Sequence, residues 1–271
     1  MVMEEKVLKA RKGMPVLILS ILAYLAAFAA LVLGAILLEG GRSIGALPLI
    51  VGIIWICVGF IPFMGLKILK PQEALVLTLF GKYIGTLRND GYYFVNPFCT
   101  AVNPAARTKL SQSGDVDAKG GSKIVLSSGE ASANIAYSTV SNKISLKVMT
   151  LSNSKQKVND CLGNPIEIGI AVMWRVVDTA KAVFTVDNYK EYLSLQCDSA
   201  LRNIVRIYPY DVAKNVDTTG DGQADEGSLR GSSEIVAERI RDEIQSRVKE
   251  AGLEIIEARI TFLAYAQEIA A

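Results

Sequence analysis

Two long uncharged stretches constrain this chain more than any other feature. From Val16 to Leu38, and again from Ile44 to Leu66, no side chain carries a charge. At about 1.5 Å of helix rise per residue, either stretch spans a hydrocarbon layer about 30 Å thick. Glu39-Gly40-Gly41-Arg42-Ser43 separates them. A charge at mid-bilayer costs about 2.5–3.5 kcal/mol, so Glu39 and Arg42 belong at a surface. The pattern predicts a helical hairpin over residues 14–69 that crosses a membrane twice. Two uncharged runs of this length argue against a hairpin in the core of a soluble protein, whereas a re-entrant hairpin, its termini on the same side, shares this composition. A cleavable leader fits poorly, because the first run is too long and a second follows at once. Pro48 and Pro62 fall inside the second run, where neighbouring groups in a bundle can satisfy the carbonyls they free.

The flanks orient the hairpin. Lys6, Lys9, Arg11 and Lys12 precede it, Lys67 and Lys70 follow, and the connecting turn offers only Arg42. The positive-inside rule puts residues 1–13, a basic tail, and everything after the hairpin in the cytoplasm.

The remainder of the 271 residues suffices for one or two soluble domains. With 29 basic against 27 acidic residues and no basic stripe interleaved with aromatics, nucleic acid is not an expected partner. Cys57, Cys99, Cys161 and Cys197 form no CxxC pair and read as free thiols in a reducing compartment. There is no histidine, which excludes Ser-His and Cys-His nucleophile pairs and His-ligated metals within this chain.

Past the hairpin, Ala74–Phe80 reads as a buried strand and Gly81-Lys82-Tyr83 as its turn. Arg88-Asn89-Asp90-Gly91 is a second turn, and Tyr92–Val95 a short strand. This apolar segment could also rest on the bilayer surface. From about 100 to 142 the composition shifts to Ser, Gly, Ala, Asn and Lys, predicting a loop-rich insertion with weak strands at Ile124–Leu126 and Ile135–Val140. Ile144–Val148 alternates as a half-buried strand, Asp160–Pro165 is a turn, and Ile166–Val177 is the central strand. Asp178 caps a short helix to Phe184. A longer helix runs from Tyr189 to Tyr208, its apolar face made by Leu193, Leu195, Ala200, Leu201, Ile204, Val205 and Tyr208. Another runs from Ser232 to Ala251, with Val236, Ile240, Ile244 and Val248 at i+4 spacing and Gly252 closing it. Leu253–Leu263 is a strand, and Ala264–Ala271 begins like a helix. Strands and helices without regular alternation argue an α+β fold.

One metal-like signal stands out. Asp217, Asp221 and Asp225 occupy positions 1, 5 and 9 of an EF-hand-type loop, with Gly222 at position 6. Thr219 and Ser228 stand where a ligand and the bidentate Glu are needed, so any Ca2+ binding is expected to be weak. Otherwise the loop is an acidic surface turn. Asp242/Glu243 and Glu254/Glu257 read as solvated faces, no nucleophile sits beside a base, and no enzyme is expected.

Several stretches carry a resemblance. Pro71-Gln72-Glu73-Ala74, Leu79-Phe80-Gly81-Lys82-Tyr83 and Gly91-Tyr92-Tyr93-Phe94-Val95-Asn96-Pro97-Phe98 stand in order. So do Val158-Asn159-Asp160, Gly163–Ile168, Trp174–Ala180, Ala200-Leu201-Arg202-Asn203, Leu229-Arg230-Gly231, Gly252–Ile260 and Leu263–Ala266. Together they resemble the SPFH (band 7) domain of the stomatin, prohibitin, flotillin and HflK/HflC superfamily, over residues 70–271 apart from the insertion. The likeness is greatest to bacterial members with an N-terminal membrane hairpin. It implies two transmembrane helices followed by an α+β SPFH domain lying against the cytoplasmic side of a bacterial plasma membrane. It also implies a non-catalytic scaffold that assembles into large homo-oligomeric rings or cages, organises membrane microdomains and lipids, and recruits membrane partners. The alternative is a regulatory subunit of a membrane-bound protease; a hydrolase is disfavoured by the missing histidine. In the family a long assembly helix follows the position of Ala271.

Overall fold

The computed structural model describes residues 4–41, 43–108, 112–113, 141–153, 155–211 and 228–266. Their contacts form two compact units, Lys6–Val102 and Asn103–Ala271 with Met1–Glu5.

In the first unit, β1 (Arg11–Lys12) leads into α1 (Gly13–Glu39). A 3-10 turn over Ser43–Gly45 starts the return, which comprises α2 (Ala46–Val58) and α3 (Ile61–Met64). The single second helix expected through Leu66 is therefore broken at Gly59-Phe60. Pro62 is the cause: it has no N–H to donate, and its ring clashes with the carbonyl four residues back. A new helical turn starts around it, with Gly65 N–H donating to Pro62 O at 3.1 Å. Pro48 needs no such break, because it sits in the first turn of α2, where an N–H has no intrahelical acceptor. Leu66 opens a strand instead of ending a helix.

Five strands complete this unit: β2 (Leu66–Leu69), β3 (Glu73–Leu79), β4 (Lys82–Leu87), β5 (Gly91–Phe94) and β6 (Thr100–Ala101). They make two antiparallel sheets, ordered β1-β5-β2 and β4-β3-β6. Between them lies a core of Leu69, Leu75, Leu77, Leu87, Val95 and Cys99. The turn expected at Gly81-Lys82-Tyr83 is tighter: Leu79 pairs with Lys82, and only Phe80 and Gly81 lie between them. Of the segment expected as an insertion, the first residues belong to the fold. Thr100 pairs with Thr78, Val102 N–H donates to Val76 O at 3.0 Å, and Pro104–Arg107 forms a 3-10 turn. The weak strands proposed within 124–140 lie outside the described residues.

The second unit holds β7 (Gln112–Ser113), β8 (Ile144–Ser145), β9 (Met149–Ser152), β10 (Gln156–Asn159), β11 (Pro165–Val176) and β12 (Leu253–Tyr265). Its helices are α4 (Thr179–Phe184), α5 (Tyr189–Val205) and α6 (Ser233–Val248). The strand expected over Ile144–Val148 divides at a bend near Lys147, giving β8 and β9. As expected, β11 is central: it pairs along its length with β12 on one side, and with β10 and then β9 on the other. Ile166, Ile168, Ile170, Val172, Trp174 and Val176, all on one face, are buried.

The caps fall where short-range chemistry puts them. Asp178 accepts from Lys181 N–H at 2.9 Å, and Asn188 caps α5 through Lys190 and Glu191 N–H. Gly252 has φ of 68°, and a Cβ there would collide with Asp178 O. Its carbonyl also accepts from Val177 and Asp178 N–H. Asp160 organises its turn with both carboxylate oxygens, accepting from Leu162, Asn164 and Tyr210 N–H. On α5 the expected apolar face is buried except Leu195, which is 65% exposed, and Cys197 joins it. The carboxylates read as solvated faces are ion-paired: Glu254 with Arg175, Glu243 with Arg247, and Glu257 with Arg259.

Candidate membrane-interface site

The hairpin is packed inside out by the standards of a soluble protein. On α1 the buried residues are Gly13, Ser20, Ala27 and Gly34, at intervals of seven. Across from them the buried residues are Gly45, Gly52 and Gly59, also at intervals of seven. A seven-residue repeat keeps one narrow seam facing the partner helix. The seam is lined with glycine because the backbones approach closely. A Cβ on Gly34 would lie 2.9 Å from Gly45 O, and one on Gly52 would lie 2.7 Å from the Leu31 side chain. Ser20 satisfies its hydroxyl by donating to Val16 O at 2.7 Å. Sequence reasoning missed this seam, although small residues every seventh position in both runs were there to be found.

The large side chains point the other way. Leu22, Phe28 and Leu33 on α1, and Leu47, Ile50 and Ile54 on α2, are all exposed. Only 11% of the apolar 18-residue stretch within each span, Gly13–Glu39 and Ala46–Met64, is buried. A core hairpin of a soluble protein would bury such a surface, at about 1.5–3 kcal/mol per large side chain. Both spans are long and apolar enough to cross a membrane.

The sheet β1-β5-β2 crosses the base of this hairpin. A Cβ on Gly13, at the start of α1, would meet the Tyr92 ring at 2.9 Å. At the other helix end, Val95 N–H donates to Gly65 O at 2.9 Å. Arg11 and Leu66 flank Phe94 in register, while Lys12 and Lys67 flank Tyr93. The sheet therefore joins aromatic residues to cations where the chain leaves the hairpin, the combination that suits a headgroup layer. Ile68, in register with Tyr92, is exposed.

The thiols offer no activated nucleophile among those whose acidity is perturbed. Burial pushes Cys99 up, with Lys67 opposing it. Burial and then Asp160 push Cys161 up, and burial followed by Asp198 takes Cys197 to about 12. Thiols that hold their protons are poor nucleophiles and poor metal ligands. Among the described residues no cluster of three or more Cys, Asp or Glu could hold a metal ion. Asp217, Asp221 and Asp225 lie outside the described residues.

Residues 67–271 match the SPFH domain / Band 7 family. No curated protein matches the chain.

Proposed function

The chain belongs to the SPFH domain / Band 7 family, and on that premise we propose that it is a non-catalytic membrane scaffold. The observation that carries the reading is the outward-facing apolar surface of both hairpin helices, which is left exposed among the described residues. The hairpin anchors each copy, the sheet at its base rests among headgroups, and the family domains of many copies join into a ring or cage that gathers lipids and membrane partners. Arg11, Lys12, Lys67 and Lys70 against the single Arg42 support a cytoplasmic location for the family domain. The resemblance to hairpin-bearing bacterial members supports a bacterial plasma membrane. The Asp217–Asp225 loop stays a proposed weak Ca2+ site, tested by calorimetric titration of the whole chain and its Asp221→Ala variant; absence of heat in both refutes it.

Single-particle imaging of the detergent-extracted protein, with a pull-down from the same sample, tests the scaffold. Closed rings or cages are expected. Small monodisperse particles at all concentrations would overturn the assembly, and a membrane protease as the dominant companion would replace the scaffold with a regulatory subunit.

A further inference from the structure

An exposed phenylalanine marks the tip of the β3–β4 hairpin. Phe80 and Gly81 have φ of 50° and 83°, so both central residues of this two-residue turn are left-handed. Such turns favour Asn-Gly, because a side chain with a larger Cβ substituent strains in that region. Phe80 occupies the Asn position and is 88% exposed, the ring reaching into solvent from a backbone that disfavours it. A residue held against both its backbone preference and the hydrophobic effect points to a contact that the described residues do not supply.

A second aromatic side chain stands at the same end of the sheet. Thr100 pairs with Thr78, and their hydroxyls meet at 3.0 Å. Following β3 forward and the β6 strand backward by two residues leads to Phe80 and Phe98. Phe98 is 61% exposed and lies in a turn closed by Cys99 N–H donating to Asn96 O at 2.9 Å. That turn follows Val95, the residue bonded to Gly65 O at the end of the hairpin. Three residues of chain reach about 10 Å, so Phe98 lies close to the level at which the hairpin ends. Lys67, in register with Tyr93, stands next to Leu66 at the foot of the hairpin. Lys82, next to the tip, is exposed.

We propose that Phe80 and Phe98 form an aromatic clasp that enters the interfacial layer of the bilayer beside the hairpin, with Lys67 and Lys82 facing anionic headgroups. The inference rests on the membrane reading above and extends it: the family domain is held to the lipid surface by its own side chains as well as by its anchor. Shallow apolar insertion backed by cations suits a surface rich in anionic lipid. The clasp would fix how the domain is tilted on that surface.

The chain carries the controls needed to test this. Trp55 is in the hairpin, and Trp174 is fully buried in the second unit. The full chain, and its Phe80→Trp and Phe98→Trp variants, are reconstituted into phosphatidylcholine–phosphatidylglycerol vesicles carrying acyl chains brominated near the headgroup. Each added tryptophan is expected to emit at shorter wavelength than in detergent-free solvent and to lose most of its emission to the bromines, with little loss to aqueous iodide. If Trp55 is quenched by bromine while the added tryptophans respond to iodide alone, the clasp is wrong and the hairpin stands. Protection of the added tryptophans from both quenchers means that protein covers them, which also overturns the clasp. If even Trp55 escapes the bromines, the membrane reading itself fails. Phe80→Asn separates contact from folding. It relieves the turn, so thermal stability in detergent should hold or rise, while Phe98→Trp quenching in the same chain should fall. Unchanged quenching there would refute a two-residue clasp.

Discussion

The hairpin and the β11 core are both built mainly from apolar residues, yet their side chains are sorted in opposite ways. In the second unit Trp174 and Ile168 are fully buried, and of its described charged residues all but Asp160 and Lys190 reach the surface. In the hairpin, glycine, alanine and serine are buried, while leucine, isoleucine and phenylalanine face out. The first arrangement is what water enforces, since large apolar area is what gains most from leaving it. The second needs a surrounding medium as apolar as leucine itself, where helices associate through close backbone approach. Exposure separates the two as plainly as the absence of charge does.

Substitutions of the same kind should therefore behave differently in the two regions. Trp174→Ala is expected to destabilise the second unit most, by about 3–5 kcal/mol in denaturant unfolding. That range stands even though the indole N–H is buried without an acceptor. A loss below 1 kcal/mol would mean that the site is not a packed core. Leu33→Arg or Ile54→Arg places a charge where lipid is expected, at about 2.5–3.5 kcal/mol each. Both variants should shift from the carbonate-resistant membrane pellet to the soluble or aggregated fraction, and wild-type partitioning would break the comparison. Gly52→Leu overfills the seam against Leu31 and should weaken helix pairing by about 1–3 kcal/mol, read as loss of resistance to detergent unfolding.

A smaller effect concerns pH. Cys197 is raised from 9.0 to about 12 by burial, so the unfolded chain gives up this proton more readily than the folded one. The stabilisation is complete below pH 9 and is lost as pH rises from 9 towards 12, at no more than about 1.4 kcal/mol per pH unit. Urea midpoints at pH 8 and 10 should diverge less in Cys197→Ala than in the wild type. Least of all, Leu33→Ala should cost under about 1 kcal/mol in membrane partitioning, because lipid fills the space that a core would leave empty.

Much of this was legible along the chain. The first span, the cap at Asp178, the α6 face and the Gly252 stop all depend on residues within a few positions of one another, where helical spacing and capping act. The central strand was recognisable from its length and β-branched composition. By contrast, β4 was missed: Lys82–Leu87 has no clean alternation, and it is a strand because β3 pairs with it. The candidate interface was hidden for the same reason. Its β1 strand has two residues, and β2 sits at the end of an apolar run that reads as helix. Local sequence determined which segments are helical and where they stop, since those energies are summed over neighbours in the chain. Only the tertiary structure decided which strands pair, which face of the hairpin is its seam and where Phe80 meets the end of the sheet, because register is set by partners distant in sequence.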